Sequence, residues 1–215
     1  MKVGTDALLL GAWCGVENAT HILEIGCGCG VISLMLAQRN SKAHILAIDI
    51  DLFSVEQANE NFRSSPWADR LKATGQDFME FDLTEHFDLM VCNPPFFYQS
   101  LESPLYPRNN ARHMNKFDRA LFFKKCHESS QPNSRIALII PFVDYEQWIH
   151  FAAQYFWYPS KSLQVKDTVN KPSKRILIEF GKKKNCIQIE TLIIKENKAF
   201  SPQYEQMLKH YQIIF

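Results

Sequence analysis

The chain has 215 residues, 46% of them hydrophobic, and 24 Lys and Arg against 23 Asp and Glu leave a net charge of +1. That length holds one domain with a sizeable core, or one domain and a small appendage, and the apolar fraction excludes a disordered chain. No apolar run approaches the roughly 20 residues of a membrane span, and residues 7–13 are apolar but have neither a strong basic flank nor a small-residue cleavage site, so neither a membrane protein nor a signal peptide is expected.

The first predicted element is a helix over residues 7–13, with Thr5 or Asp6 near its N-cap. Residues 21–25 read as a buried strand that ends in Gly26-Cys27-Gly28-Cys29-Gly30, and a helix follows over 31–39. A second strand over 43–48 runs into Asp49-Ile50-Asp51, and a helix over 54–62 is closed by Pro66. A third strand over 71–74 is followed by Gly75-Gln76-Asp77-Phe78, and a fourth over 87–92 stops at Asn93-Pro94-Pro95-Phe96, because proline cannot continue a sheet ladder. Residues 97–117 form a long polar loop, and loops of that length in compact domains are usually functional.

Beyond the loop, Asp118 is placed to cap a helix running to about residue 129. A fifth strand over 135–140 is ended by Pro141, and a helix covers 143–156. Two strands over 163–168 and 175–180 flank a turn at 170–173, residues 187–194 are strand-like, and a last helix spans about 202–210. Strand and helix alternate over the first 140 residues, which predicts an α/β fold with a doubly wound, mostly parallel sheet. The later strand pair has a different rhythm and predicts an antiparallel edge.

Six cysteines, Cys14, Cys27, Cys29, Cys92, Cys126 and Cys186, are scattered through apolar runs. Without a secretory signal they read as reduced thiols of a cytoplasmic protein. Cys27 and Cys29 have no second close pair to complete a tetrahedral site, so no metal is expected. Charge is uneven: residues 1–92 hold 6 Lys and Arg against 13 Asp and Glu, residues 108–135 hold 7 against 2, and residues 161–184 hold 8 against 2. A phosphate-bearing partner is one explanation of the two basic stretches, and solvated basic faces are the other.

The glycine loop sits between a strand and a helix, where a missing Cβ lets the backbone approach a ligand. Asp49 ends the next strand about 20 residues on, the place from which a carboxylate holds a ribose diol. A dinucleotide fingerprint wants a small residue where Val31 stands. Gly-x-Gly-x-Gly preceded by Glu24 suits S-adenosylmethionine better, with Glu24 toward its cationic methionine end. Ile50 and Phe78 are candidates to flank its adenine, and Asp77 to meet the exocyclic amine. Two readings stand for Phe78, core or ligand, and two for Asp77, turn cap or ligand. An unpaired buried carboxylate is costly, which makes Glu24 harder to explain structurally.

At Asn93-Pro94-Pro95-Phe96 the chain leaves a buried strand at the carboxyl end of the sheet, where open α/β sheets bind ligands. The Asn93 side-chain oxygen and the Pro94 carbonyl are two acceptors for the two hydrogens of a planar amine. Phe96 is placed to stack on the base that carries it, at about 1–3 kcal/mol per base. Asn-Pro also starts ordinary turns; the glycine loop and Asp49 favour the catalytic reading.

These motifs resemble those of class I S-adenosylmethionine-dependent methyltransferases that act on planar amino groups, whose fold is Rossmann-like. Met1-Lys2-Val3-Gly4-Thr5-Asp6 with Leu10-Gly11-Ala12-Trp13 is similar, more closely, to the start of the catalytic domain in bacterial valine-tRNA adenine-N6 methyltransferases. Ser65-Pro66-Trp67-Ala68, residues 107–113, Arg175-Ile176-Leu177 and residues 201–204 look similar too. The resemblance covers essentially the whole chain. It implies one methyltransferase domain over 1–215, with a cofactor half over about 1–92 and an acceptor and RNA-facing half beyond. Thr5, Asp6, Glu24, Gly26, Gly28, Gly30, Asp49, Ile50, Asp77 and Phe78 would serve S-adenosylmethionine. Asn93, Pro94, Pro95 and Phe96 would hold adenine 37 of the valine tRNA anticodon loop, with no membrane and no obligate protein partner. Family members carry a further short segment, with phenylalanine and lysine, ahead of the Met-Lys-Val-Gly-Thr-Asp stretch. The expectation is therefore a misplaced start codon or a truncated member. Other acceptors share the motif, guanine N2 of ribosomal RNA and a glutamine amide of a release factor, and a vestigial RNA-binding module is the reading outside enzymes.

Overall fold

The computed structural model describes residues 3–80, 85–94, 117–184, 187 and 189–211. Their strands form one nine-stranded sheet in the order β3-β2-β1-β4-β5-β7-β6-β8-β9. In chain order these are β1 (His21–Ile25), β2 (His44–Asp49), β3 (Leu71–Gly75), β4 (Phe87–Cys92), β5 (Ser130–Pro141), β6 (Tyr158–Thr168), β7 (Ser173–Gly181), β8 (Ile189–Glu196) and β9 (Ala199–Phe200). The first five pair in parallel, as the alternation predicts.

The antiparallel pairings lie at one end of the sheet, as predicted, and reach further in than a single edge strand. β7 lies inside the sheet, antiparallel to both β5 and β6, and β8 then adds parallel to β6. A short hairpin returns the chain within the sheet, so β6 regains the direction of β5.

Successive strand residues point to opposite faces, and the core divides accordingly. Ile22, Ile45, Leu89, Val91 and Ile139 join one cluster, under α1 (Thr5–Trp13), α2 (Val31–Arg39), α3 (Leu52–Arg63) and α6 (Pro202–Leu208). Leu23, Ile48, Met90, Leu138 and Ile140 join the other, under α4 (Arg119–Glu128) and α5 (Tyr145–Gln154). β1 and β4 are buried on both faces, which explains their unbroken apolar runs.

The helix starts show which residues cap. Asp118 accepts from the Leu121 N–H at 3.0 Å and opens α4, as the sequence predicts. Asp51 caps α3 through the Ser54 N–H at 3.2 Å, so that helix begins before the predicted residue 54. α1 differs: its N-cap is Gly4, with no side-chain cap, and Thr5 and Asp6 already lie in the helix. The Asp6 carboxylate instead accepts from Arg175 Nε on β7 at 2.9 Å. The helix predicted over 143–156 is split into a 3₁₀ turn over Phe142–Asp144 and then α5. Among the described residues no helix is long and apolar enough to cross a membrane.

Candidate active site

Register brings the predicted parts to one edge. Ile25 pairs with Ile48 on one side and with Cys92 on the other. The next residue on each strand is therefore Gly26, Asp49 and Asn93, side by side at the carboxyl end. β3 pairs Gly75 with Asp49, so Asp77 lies just beyond the same edge. Between β1 and β4 the strand order reverses direction, and at that switch point an open α/β sheet leaves a crevice for ligands.

Gly26, Gly28 and Gly30 all have positive φ, at 74°, 53° and 77°. They do different work. A Cβ on Gly26 would meet nothing within 4 Å, so its face opens to the crevice. A Cβ on Gly30 would sit 2.5 Å from the Phe62 ring and 3.2 Å from Ala58 Cβ. Gly30 thus lets α3 press on the start of α2, and contact with a ligand is not needed to explain it.

Asp49 fastens the loop. Its Oδ2 accepts from the Gly28 N–H at 2.8 Å and its Oδ1 from the Asp51 N–H at 2.9 Å. Each oxygen keeps a further lone pair, enough for a diol. Asn61 Nδ2 donates to the Cys29 carbonyl at 2.9 Å and holds the loop from α3.

Glu24 is fully buried on β1. Its Oε2 accepts from the Ser33 N–H at 2.9 Å and from the Ser33 hydroxyl, while Oε1 has no partner among the described residues. Burial pushes its carboxyl up to about 8; the Ser33 donations oppose this and the Asp49 charge adds to it. The same burial, with the Glu24 and Asp49 carboxylates, pushes the thiols of Cys27 and Cys92 upward, so neither is poised as a nucleophile.

The raised carboxyl has a measurable consequence. The folded protein keeps a proton that the unfolded chain releases near 4.5. Across the window from there to about 8 the native state binds more protons, so stability falls as pH rises. Glu24→Gln is expected to flatten this fall, read as unfolding midpoints in urea between pH 5 and 8. Parallel curves for the two proteins would show that Glu24 does not carry the proton.

The other predicted residues separate. Ile50 is 63% exposed beyond β2, an open apolar flank. Phe78 is buried against Phe122, with ring centroids 5.5 Å apart, so its ring serves the core. Asp77 is exposed and its Oδ1 accepts from the Met79 N–H at 2.8 Å, the turn-capping geometry. Thr5 is exposed in the first turn of α1, and Asp6 is held by Arg175. Pro94 is buried, and Asn93 Oδ1 is buried with no partner among the described residues. Pro95, Phe96 and the loop predicted over 97–117, apart from Phe117, lie outside the described residues, as does Cys186. Sequence reasoning missed Ser33 and Asn61. A serine three positions after Gly30, in the first turn of the following helix, was the available signal for the former.

A family model for the methyltransferase small domain matches residues 3–105. A protein of Vibrio vulnificus described as a tRNA1(Val) (adenine(37)-N6)-methyltransferase is 33% identical over 213 residues, covering 99% of this chain and 89% of the relative. The chain belongs to the tRNA1(Val) (adenine(37)-N6)-methyltransferase family. Relatives of the same description from Flavobacterium psychrophilum and Bacteroides thetaiotaomicron are 37% and 35% identical, covering 93% and 91% of their lengths. A crystal structure of a "predicted O-methyltransferase" from Agrobacterium tumefaciens superposes with a TM-score of 0.76 at 16% identity, covering 95% of this methyltransferase and 96% of that chain. The N-methyltransferase NodS of Bradyrhizobium japonicum gives a TM-score of 0.55 at 16% identity, covering 80% and 91%. These likenesses show the class I methyltransferase fold.

Proposed function

We propose that this chain transfers a methyl group from S-adenosylmethionine to the N6 amine of adenine 37 in valine tRNA. The observation that carries the reading is the Asn93 Oδ1: a buried acceptor without a partner among the described residues, placed across the β1/β4 crevice from the glycine loop. A buried polar atom left unsatisfied costs about 1–3 kcal/mol, which a ligand donor would offset.

The residues present fit the cofactor. Gly26 is open, Glu24 Oε1 lacks a partner among the described residues and would meet an ammonium, whose charge favours the ionised carboxylate, directly or through an ordered water, and Asp49 retains lone pairs for the ribose hydroxyls. Thr5, Asp6, Gly28, Gly30, Ile50, Asp77 and Phe78 complete the proposed surround, Gly30 and Phe78 by shaping it from behind. When bound, the sulfonium supplies an already activated methyl group.

The acceptor side is the protein's chemistry. The adenine lone pair on N6 is delocalised into the ring. Asn93 Oδ1 and the Pro94 carbonyl would each accept one N6 hydrogen, drawing the nitrogen toward tetrahedral geometry so that its lone pair leaves conjugation and aims at the methyl group. Pro95 would stiffen the turn and Phe96 would stack on the base, which must leave its own stack to arrive. Positioning and these hydrogen bonds are sufficient: the sulfur–methyl bond breaks as the N6–methyl bond forms, with S-adenosylhomocysteine as the leaving group, and the cationic N6 is acidic enough to pass its extra proton to water, so no strong general base is required. One domain serves the reaction, with cofactor residues over about 1–92 and acceptor residues beyond. It works in the cytoplasm on tRNA without an obligate protein partner.

A labelled-methyl assay offering unmodified valine tRNA, ribosomal RNA and a release factor side by side tests this. Transfer to the tRNA alone is expected; preferential labelling of either other acceptor contradicts the substrate.

A further inference from the structure

The second basic stretch of the sequence does not stay together in the fold. β6 and β7 are antiparallel, so its middle and its end emerge at opposite edges of the sheet. Pro141, at the carboxyl end of β5, pairs with Arg175, whereas Gly181 pairs with Tyr158 at the start of β6. The β6–β7 turn, with Lys166, Lys171, Lys174 and Arg175 around it, therefore lies at the edge that carries Asn93. Lys182, Lys183 and Lys184 leave at the other.

Lys182 is moreover committed to the protein. Its Nζ sits 3.5 Å from the centroid of the Trp157 ring and 3.0 Å from His127 Nδ1, and burial brings its ammonium down to about 8.

A second turn joins the first. β8 runs parallel to β6 and pairs Lys195 with Thr168. The β8–β9 turn, with Asn197 and Lys198 at φ 50° and 70°, thus projects beside the β6–β7 turn. Around the two turns stand Lys166, Lys171, Lys174, Lys195 and Lys198 against Asp167 and Glu196, with Arg175 already paired to Asp6. One carboxylate, Asp167, meets two ammonium groups, Lys174 at 2.5 Å and Lys171 at 3.9 Å. Exposed pairs of this kind contribute roughly 0–1 kcal/mol and yield readily to a denser anion. Asn93 lies level with Leu177 and Leu163, and both turns project beyond that level; with strands about 4.8 Å apart and a rise of about 3.3 Å per residue, the β6–β7 turn stands roughly 15–25 Å from Asn93 and the β8–β9 turn roughly 25–35 Å away.

We infer that these two neighbouring turns form a ridge that docks the phosphate backbone of the RNA stem whose loop presents the target base at Asn93. The inference rests on the tRNA reading above. Duplex RNA is recognised through its phosphates and shape, and that recognition needs cations at the catalytic edge, a stem's reach from the pocket. The ridge meets that need, and the lysines at the opposite edge do not.

The test is binding of an unmodified valine tRNA transcript to the full chain, by fluorescence anisotropy over a salt series. Lys171→Glu/Lys174→Glu/Lys198→Glu is expected to weaken binding at least tenfold and to lower the slope of log K against log salt by about 2, at roughly 0.7–0.9 per lost phosphate contact. The charge-neutral Lys171→Gln/Lys174→Gln/Lys198→Gln variant is expected to weaken it at least threefold, which guards against a folding defect in the first. Affinity for S-adenosylmethionine should stay within twofold in both. Lys183→Glu/Lys184→Glu should leave tRNA affinity within twofold. Unchanged binding by both ridge variants, or equal weakening by the Lys183/Lys184 pair, overturns the ridge while the tRNA reading stands. A wild-type protein that does not bind the transcript overturns both.

Discussion

Asn93→Ala is expected to lower kcat/KM for methyl transfer by about 10²–10³-fold, while S-adenosylmethionine affinity changes less than twofold. The magnitude follows from losing one preorganised hydrogen bond in a buried site, about 3–4 kcal/mol of transition-state stabilisation. The split between the two readouts follows from placement. Asn93 directly follows β4, and its side-chain oxygen has no described partner that truncation would strand. The cofactor loop is instead held by Asp49, Asn61 and the β1–β2 register. Asn93→Asp keeps an acceptor at the same place and should lose less than alanine. Steady-state kinetics with calorimetry of cofactor binding reads both. An alanine variant with wild-type turnover would remove the acceptor role of Asn93.

Asp49→Ala has the complementary signature. Its two oxygens receive the Gly28 and Asp51 N–H groups, so truncation loosens the glycine loop and the start of α3 together. It also removes the carboxylate proposed for the ribose diol. Hydrogen bonds to a charged group contribute about 1.5–3 kcal/mol each, so cofactor affinity is expected to fall on the order of 100-fold, measured by calorimetry. tRNA binding measured without cofactor should change little, because the ridge lies beyond β4, on the other side of the crevice from β2. Undiminished cofactor affinity in this variant would leave Asp49 as a structural clasp only.

The parts of this architecture that local sequence controls were legible in it. Buried parallel strands read as unbroken apolar runs, and β1 and β4 match their predicted spans to the residue. Asp118 announced α4 because a cap is a local device. What the sequence could not reveal depends on long-range pairing. Nothing local to residues 173–181 says that β7 inserts between β5 and β6, yet that insertion divides one basic stretch between two edges. Asp6 looked like a cap because its partner, Arg175, lies 169 residues away. Phe78 was equally compatible with core and ligand until Phe122 closed over it. Glu24 was identified by its cost: a carboxylate inside a buried strand needs a reason, and half of that reason is Ser33, on the far side of the glycine loop.

The edge shared by Gly26, Asp49 and Asn93 is proposed to methylate one exocyclic amine of one tRNA. The most direct measurement is mass spectrometry of nuclease fragments from an unmodified valine tRNA transcript incubated with the protein and S-adenosylmethionine. A single added methyl is expected, on N6 of adenine 37, and at least about 100-fold less of it from Asn93→Ala in the same time. A methyl at another position, or an unmethylated transcript recovered from protein that binds both ligands, would contradict it.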